Sequence, residues 1–215
     1  MKKLIYIFII SLLLIHGGVN AQQLSRDFWH DGEINLFSGE VLKGKLRYDL
    51  ENDNIQLQYA GTLKSFSAYQ VESFEFFDEI MKTPRIFYAL PYAKRENYET
   101  PVFFELYSEG ALSLLNREVI TYRMVYPAGM GMWGWGYRPM MGANVPVLED
   151  SYYVLNLKEE KVSKITDTRK DILAFMQDKG QDVEGFIQAN RIRMDRRSDL
   201  VRLFEFYNSL KPKGN

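Results

Sequence analysis

"VFFELYSEGALSLL", residues 102–115, decides the fold. Two apolar runs of strand length flank Glu109-Gly110. A two-residue hairpin turn requires φ > 0, which glycine adopts without a Cβ clash, so the stretch reads as a β-hairpin. The same reading extends outward. From Glu33 to Ile165 the hydrophobic period is mostly two. Ile34 and Leu36 alternate with polar residues, as do Ile55, Leu57 and Tyr59, and then Phe74 and Phe76. "SYYVLNL" (151–157) and "KVSKI" (161–165) flank Lys158–Glu160 and read as a second hairpin. About nine or ten short strands are expected, forming an antiparallel β body over residues 22–166.

From Thr168 the period changes. Thr168 and Asp171 have capping-box spacing ahead of Ile172, Leu173, Phe175 and Met176, with Gly180 as a stop. A second short helix carries Val183, Phe186 and Ile187 and ends near Asn190. A third begins after Asp195, with Leu200, Leu203, Phe204 and Tyr207 on one stripe. Strands followed by two or three short helices over 167–210 predict an α+β chain.

The N-terminus points to export. Lys2 and Lys3 precede the apolar run Leu4–Ile15, and Val19-Asn20-Ala21 places small residues before a cut. These are the parts of a cleaved signal peptide, residues 1–21, cut after Ala21, which predicts a periplasmic or secreted protein. Removing 21 of the 215 residues leaves 194, and 25 of the 27 basic residues then face 28 acidic ones, a formal charge of −3. A near-neutral chain offers nucleic acid no electrostatic attraction. No later stretch is apolar enough to span a membrane. The chain has no cysteine, which excludes thiol nucleophiles, disulfides and thiolate metal sites.

Two resemblances add to this. In "SGEVLKGKLRYDLENDNIQL" (38–57), the spacing of Gly39, Gly44 and Leu46, followed by Asp49 and Asn54-Ile55, resembles the first motif of Sm-like proteins. The resemblance implies bent strands, with Gly44 allowing the bend, and hence a curled antiparallel β-sheet or SH3-like small barrel. In that family the acid and the Asn lie in an RNA-binding loop. The gap from Asp49 to Asn54 is longer here, and the family's later Arg-Gly motif is missing where this chain reads "YQVESFEFFD" (69–78), so only the fold is carried over. "GEINLFSGEVLKGKLRYD", "FSAYQVESFEF", "FFELYSEGALSLLNRE" and "SDLVRLFEFYNSL" are also similar to uncharacterised exported proteins of Bacteroidetes-type bacteria. That resemblance implies an envelope location and no particular activity.

Candidate chemistry is sparse. His30 is the one histidine left after cleavage, and it reads as a surface or edge residue beside Trp29 and Asp31. Glu105 and Glu118 lie on neighbouring strands and are candidates for a glycosidase-type acid pair. "DLENDN" (49–54) begins like a calcium loop but lacks the Gly and Glu of an EF-hand, so it reads as a polar turn. No phosphate-cradling glycine motif opens a helix, and no cofactor is expected.

"AGMGMWGWGYRPMMGAN" (128–144) is the remaining candidate. If extended, it places Trp133, Trp135 and Tyr137 on one face and Met130 and Met132 on the other. Such aromatics can stack on sugars or sit at a membrane interface, and Met130, Met132, Met140 and Met141 are soft ligands for Cu(I). Exposed Trp and Met favour a loop that folds back, binds a partner or self-associates. The expected function is a non-enzymatic binding or assembly module of the cell envelope. Its partner would be an envelope protein, a glycan or a second copy of the chain, met through these five residues. The alternative is a carboxylate-dependent hydrolase acting on an envelope polysaccharide.

Overall fold

The computed structural model describes residues 28–95, 98–125 and 142–211. The expected signal peptide therefore lies outside the described residues. Among the described residues there are ten strands: β1 (His30–Leu36), β2 (Val41–Asp49), β3 (Asn54–Tyr59), β4 (Thr62–Ser67), β5 (Val71–Asp78), β6 (Thr83–Arg95), β7 (Tyr98–Ser108), β8 (Leu112–Val125), β9 (Ala143–Asn156) and β10 (Lys161–Lys164). Helices α1 (Thr168–Phe175), α2 (Gly180–Asn190) and α3 (Arg197–Ser209) follow. None of them is long and apolar enough to cross a membrane.

The α+β expectation is corrected. All ten strands join one antiparallel sheet in the order β10-β9-β8-β7-β6-β5-β1-β2-β3-β4, open at both ends, and the helices are three short C-terminal segments. An SH3-like barrel or a small curled sheet would end after a few strands. Here β5 pairs with β1 on one side and, through Phe74 opposite Phe87, with β6 on the other, so the ladder continues.

The β1–β5 end of the sheet cannot lie flat. Four ladder steps of about 4.8 Å would hold β4 and β5 about 19 Å apart. Extended chain from Ser67 to Val71 reaches at most about 14 Å. The strands therefore roll inward around Leu46, Ile55, Leu57, Phe74, Phe87 and Phe103. Phe74 stacks on Phe87 with centroids 4.5 Å apart, and Phe103 meets Phe74 edge-on at 5.0 Å. Between β6 and β10 the opposite face is enclosed, around Val102, Phe104, Leu115 and Tyr153. The helices cover the remaining part of the first face, on Leu112, Leu114 and Val154.

The helix stripe Leu200, Leu203, Phe204 and Tyr207 is buried as expected. The α1 cap sits one residue earlier than the capping-box spacing indicates. Asp167 accepts from the Lys170 N–H, and the Asp171 carboxylate accepts from the Thr166 and Asp167 N–H groups. Gly180 opens α2 instead of stopping α1. From α3, the Asn208 side chain accepts from the Leu112 N–H at 3.1 Å and donates to the Leu112 carbonyl at 2.9 Å, beside Gly110, where any Cβ would overlap its amide. Asn208→Ala strands both backbone groups and should cost about 1–2 kcal/mol in denaturant unfolding. A loss below about 0.3 kcal/mol would show that water replaces the amide freely.

Candidate functional site

Along the first face of the sheet, a polar seam separates the rolled core from the helix-covered one. Arg85 lies on β6 two residues before Phe87 and shares its face. Its Nε donates to Glu105 Oε1 at 2.8 Å and its Nη2 to Glu105 Oε2 at 2.6 Å, a bidentate pair with both side chains buried. The same Nη2 is 3.3 Å from Glu118 Oε2, and Nη1 is 3.8 Å from Asp78 Oδ2. The Phe76 and Phe87 rings face the guanidinium. Burial lowers the pKa of Arg85, but the hydrogen bond and charge of Glu105, with Glu118, outweigh it and hold Arg85 charged. From α3, Arg197 lies 3.8 Å over the Tyr107 ring and 3.9 Å from Glu105.

Asn116 sits opposite Glu105 and is fully buried. Its Nδ2 donates to the Tyr107 hydroxyl at 2.8 Å and to Asp150 at 2.9 Å. Its Oδ1 has no hydrogen-bond partner among the described residues. Glu118 follows two residues on, and its carboxyl is pushed above the usual carboxylate range. Burial is the largest cause, and the Glu105 and Asp150 charges add to it against Arg85. Because the pKa is raised in the folded state, proton uptake by Glu118 stabilises the fold. That contribution is complete below the unfolded carboxylate value of about 4.3 and is lost as pH rises through the folded value. The Tm of the wild type minus that of Glu118→Gln should therefore grow as pH falls from 7 to 4; a flat or shrinking difference would contradict the raised pKa.

At Asn116 the sheet splits. β7 pairs with β8 through Glu105–Asn116, Leu106–Leu115 and Ser108–Leu114, while β8 pairs with β9 all the way to Val125–Ala143. Beyond Asn116, β8 and β9 form a two-stranded ribbon. Arg117 marks the split: it donates to the Phe103 carbonyl at 3.2 Å and lies over the Phe104 ring. It also bonds Asp53 at 3.3 Å, and Asp53 in turn accepts from the Tyr48 hydroxyl at 2.7 Å. The polar turn 49–54 is thus held over β8. Leu50 and Glu51 line a cleft of about 380 Å³ together with Arg117, Glu118, Val119, Ile120 and Tyr122 of β8.

Beyond the Glu118–Asp150 pair, one ribbon face is apolar. Ile120 pairs with Leu148 and Tyr122 with Pro146, and Met124 follows on the same side. Tyr122 is 69 % exposed and Met124 54 %. The other face carries the Arg123–Glu149 ion pair at 3.2 Å beside two exposed valines, Val125 and Val145.

Trp133, Trp135, Tyr137, Met130 and Met132 lie outside the described residues. Ala143 and Asn144, expected in the same loop, belong to β9. Glu105 and Glu118 do come together, but on one guanidinium: Arg85 bridges them where a glycosidase pair needs an open gap for the sugar. His30 is buried, not a surface residue; it stacks on Phe76 at 4.8 Å. Sequence reasoning missed Arg85, Asn116, Tyr107, Arg117 and Arg197. A signal existed for the first two. Arg85 has the inward parity of Phe87, and Asn116 that of Leu114. Comparisons with protein-family models, curated proteins and solved structures gave no match.

Proposed function

We propose that this chain is an exported, non-enzymatic binding or assembly module of the cell envelope, and that it meets its partner along the β8–β9 ribbon. The observation that carries the reading is the ribbon beyond Asn116. It leaves the sheet with Ile120, Tyr122, Met124, Pro146 and Leu148 on one face, beyond the Glu118–Asp150 pair. Exposed apolar faces of this kind mark interaction sites. The bridged Glu105–Arg85–Glu118 arrangement supports binding over hydrolysis, because Arg85 fills the gap that a sugar would need between the two carboxyls. The export signal at the N-terminus supports the location.

A photo-crosslinking residue placed at Tyr122 should capture a discrete envelope partner in intact cells. One placed at Tyr69, equally exposed on the rolled half, should not. Equal capture at both positions, or none at Tyr122, would overturn the ribbon as contact surface. Intact precursor retained in the cytoplasm would overturn the envelope assignment.

A further inference from the structure

We infer that the β8 edge from Arg117 to Val125 accepts an extended peptide segment of a partner protein by strand addition, with a basic side chain of that peptide seated between Glu118 and Glu51. The inference rests on the ribbon reading and names the chemistry of what the ribbon binds.

The backbone supplies the first argument. In a strand paired on one side only, alternate N–H and C=O groups point outward unpaired. Among the described residues, β8 beyond Asn116 pairs only with β9, so this row lies on the side of β8 turned away from β9. On the far side of the split, β7 is blunted: Pro101 has no N–H, and Arg117 caps the Phe103 carbonyl. The two outer edges of the sheet are guarded in the usual ways. β10 is four residues long and carries Lys161 and Lys164, and β4 carries Lys64. The β8 edge has no lysine, and Arg123 is tied to Glu149. Among the described residues it is an unguarded edge; β9 from Ala143 to Ser151 is likewise paired on one side only, but Pro146 interrupts it.

The cleft supplies the second. Its other wall is Leu50 and Glu51, held in place through Asp53 by Arg117 and Tyr48. A guest strand lying between them offers β8 main-chain hydrogen bonds, and alternate side chains read the pockets. Cross-strand neighbours share a face, so the guest residue opposite Glu118 meets a carboxyl, with a second from Glu51. The next guest positions on that face meet Ile120 and Tyr122. The complementary segment is therefore basic, then apolar, then apolar or aromatic, at every second residue. A glycan would leave the backbone row unmatched, since sugar hydroxyls have no strand period.

The test uses the mature chain and a fluorescent seven-residue peptide with Lys, Val and Val alternating between four Thr residues, beside two controls: Glu in place of Lys, and N-methylation of alternate amides on the same sequence. The Lys peptide should bind and slow hydrogen exchange of the outward amides between Arg117 and Val125. The Glu peptide should bind at least fivefold more weakly, and N-methylation should weaken binding at least tenfold. Undiminished binding of the N-methylated peptide would overturn strand addition, and equal binding of Lys and Glu peptides would overturn the basic-residue assignment. Protection of the same amides by self-association of the chain, seen by sedimentation, or by an envelope oligosaccharide would overturn the peptide as occupant. Partner capture at Tyr122 with no peptide binding would sink the edge proposal alone and leave the ribbon face standing.

Discussion

Arg85→Met should destabilise the fold by about 3–5 kcal/mol, the cost of stripping the cation from a buried ion pair. For a chain of this size that lowers Tm by about 10 °C or more. Glu105 is 2 % exposed and loses both of its short hydrogen bonds, and Asp78, fully buried, loses the nearby positive charge. Methionine fills a similar volume, so the loss measures charge and not a cavity. Two companions separate the causes. Arg85→Lys keeps the charge but cannot make the bidentate fork, and it should fall between wild type and Arg85→Met. Arg85→Met with Glu105→Leu removes both partners and should recover most of the loss, since apolar replacement of a whole buried pair is often neutral or better. The deficit of the single variant should also shrink in mild acid, where the stranded carboxyls can take up protons. A loss under 1 kcal/mol would mean that water reaches the guanidinium site and that the seam is not a buried network.

That seam explains which parts of the molecule were legible. Where one face of a strand is covered and the other wet, alternation shows it: Ile34, Ile55, Leu57, Phe74 and Phe76 lie in the rolled core with Leu36 packed against it, while Tyr59, in the same alternating run, is exposed. The helix stripe Leu200–Tyr207 was legible for the same reason at period 3.6. In the middle of the sheet the rule fails. Phe103 points into the rolled core while Val102 and Phe104 point into the opposite one, and Leu114 and Leu115 divide in the same way. Strands covered on both faces lose their alternation. "VFF" and "SLL" therefore announced strands but hid the fact that two cores meet there. The ribbon was hidden for the opposite reason. Arg117, Glu118, Glu149 and Asp150 interrupt the apolar pattern, so β8 and β9 read as short strands beside a long loop, when the ladder runs on to Val125 and Ala143. The ion pairs that build the seam join residues far apart in sequence, Arg85 to Glu105 and Arg117 to Asp53, and single-chain periodicity holds no record of such pairings.

Gly32→Ala should cost about 3 kcal/mol, the upper end of what overpacking does. Gly32 pairs with Gly44 across β1 and β2. A Cβ on Gly32 would overlap the Glu75 carbonyl oxygen of β5 and come within 2.8 Å of Leu46 Cδ1 and Phe76 Cβ. A Cβ on Gly44 would come within 2.5 Å of the Gln58 carbonyl oxygen of β3. Gly44 is the bend expected from the sequence. Backbone oxygens cannot rotate away, so either substitution must push two paired strands apart. The midpoint of denaturant unfolding should fall with an unchanged slope, because the exposed surface is the same. Gly39→Ala is the informative comparison. Gly39 has φ +85° with nothing within 4 Å of its would-be Cβ, so it should cost only the left-handed penalty of about 1–2 kcal/mol. Adding Leu46→Ala to Gly32→Ala removes one crowded side chain and leaves the Glu75 carbonyl in place. It should therefore deepen the loss by the cost of a buried leucine and not relieve it. Relief in that double variant would show that the crowding is between side chains, and that the approach of β5 to β1 does not itself require glycine.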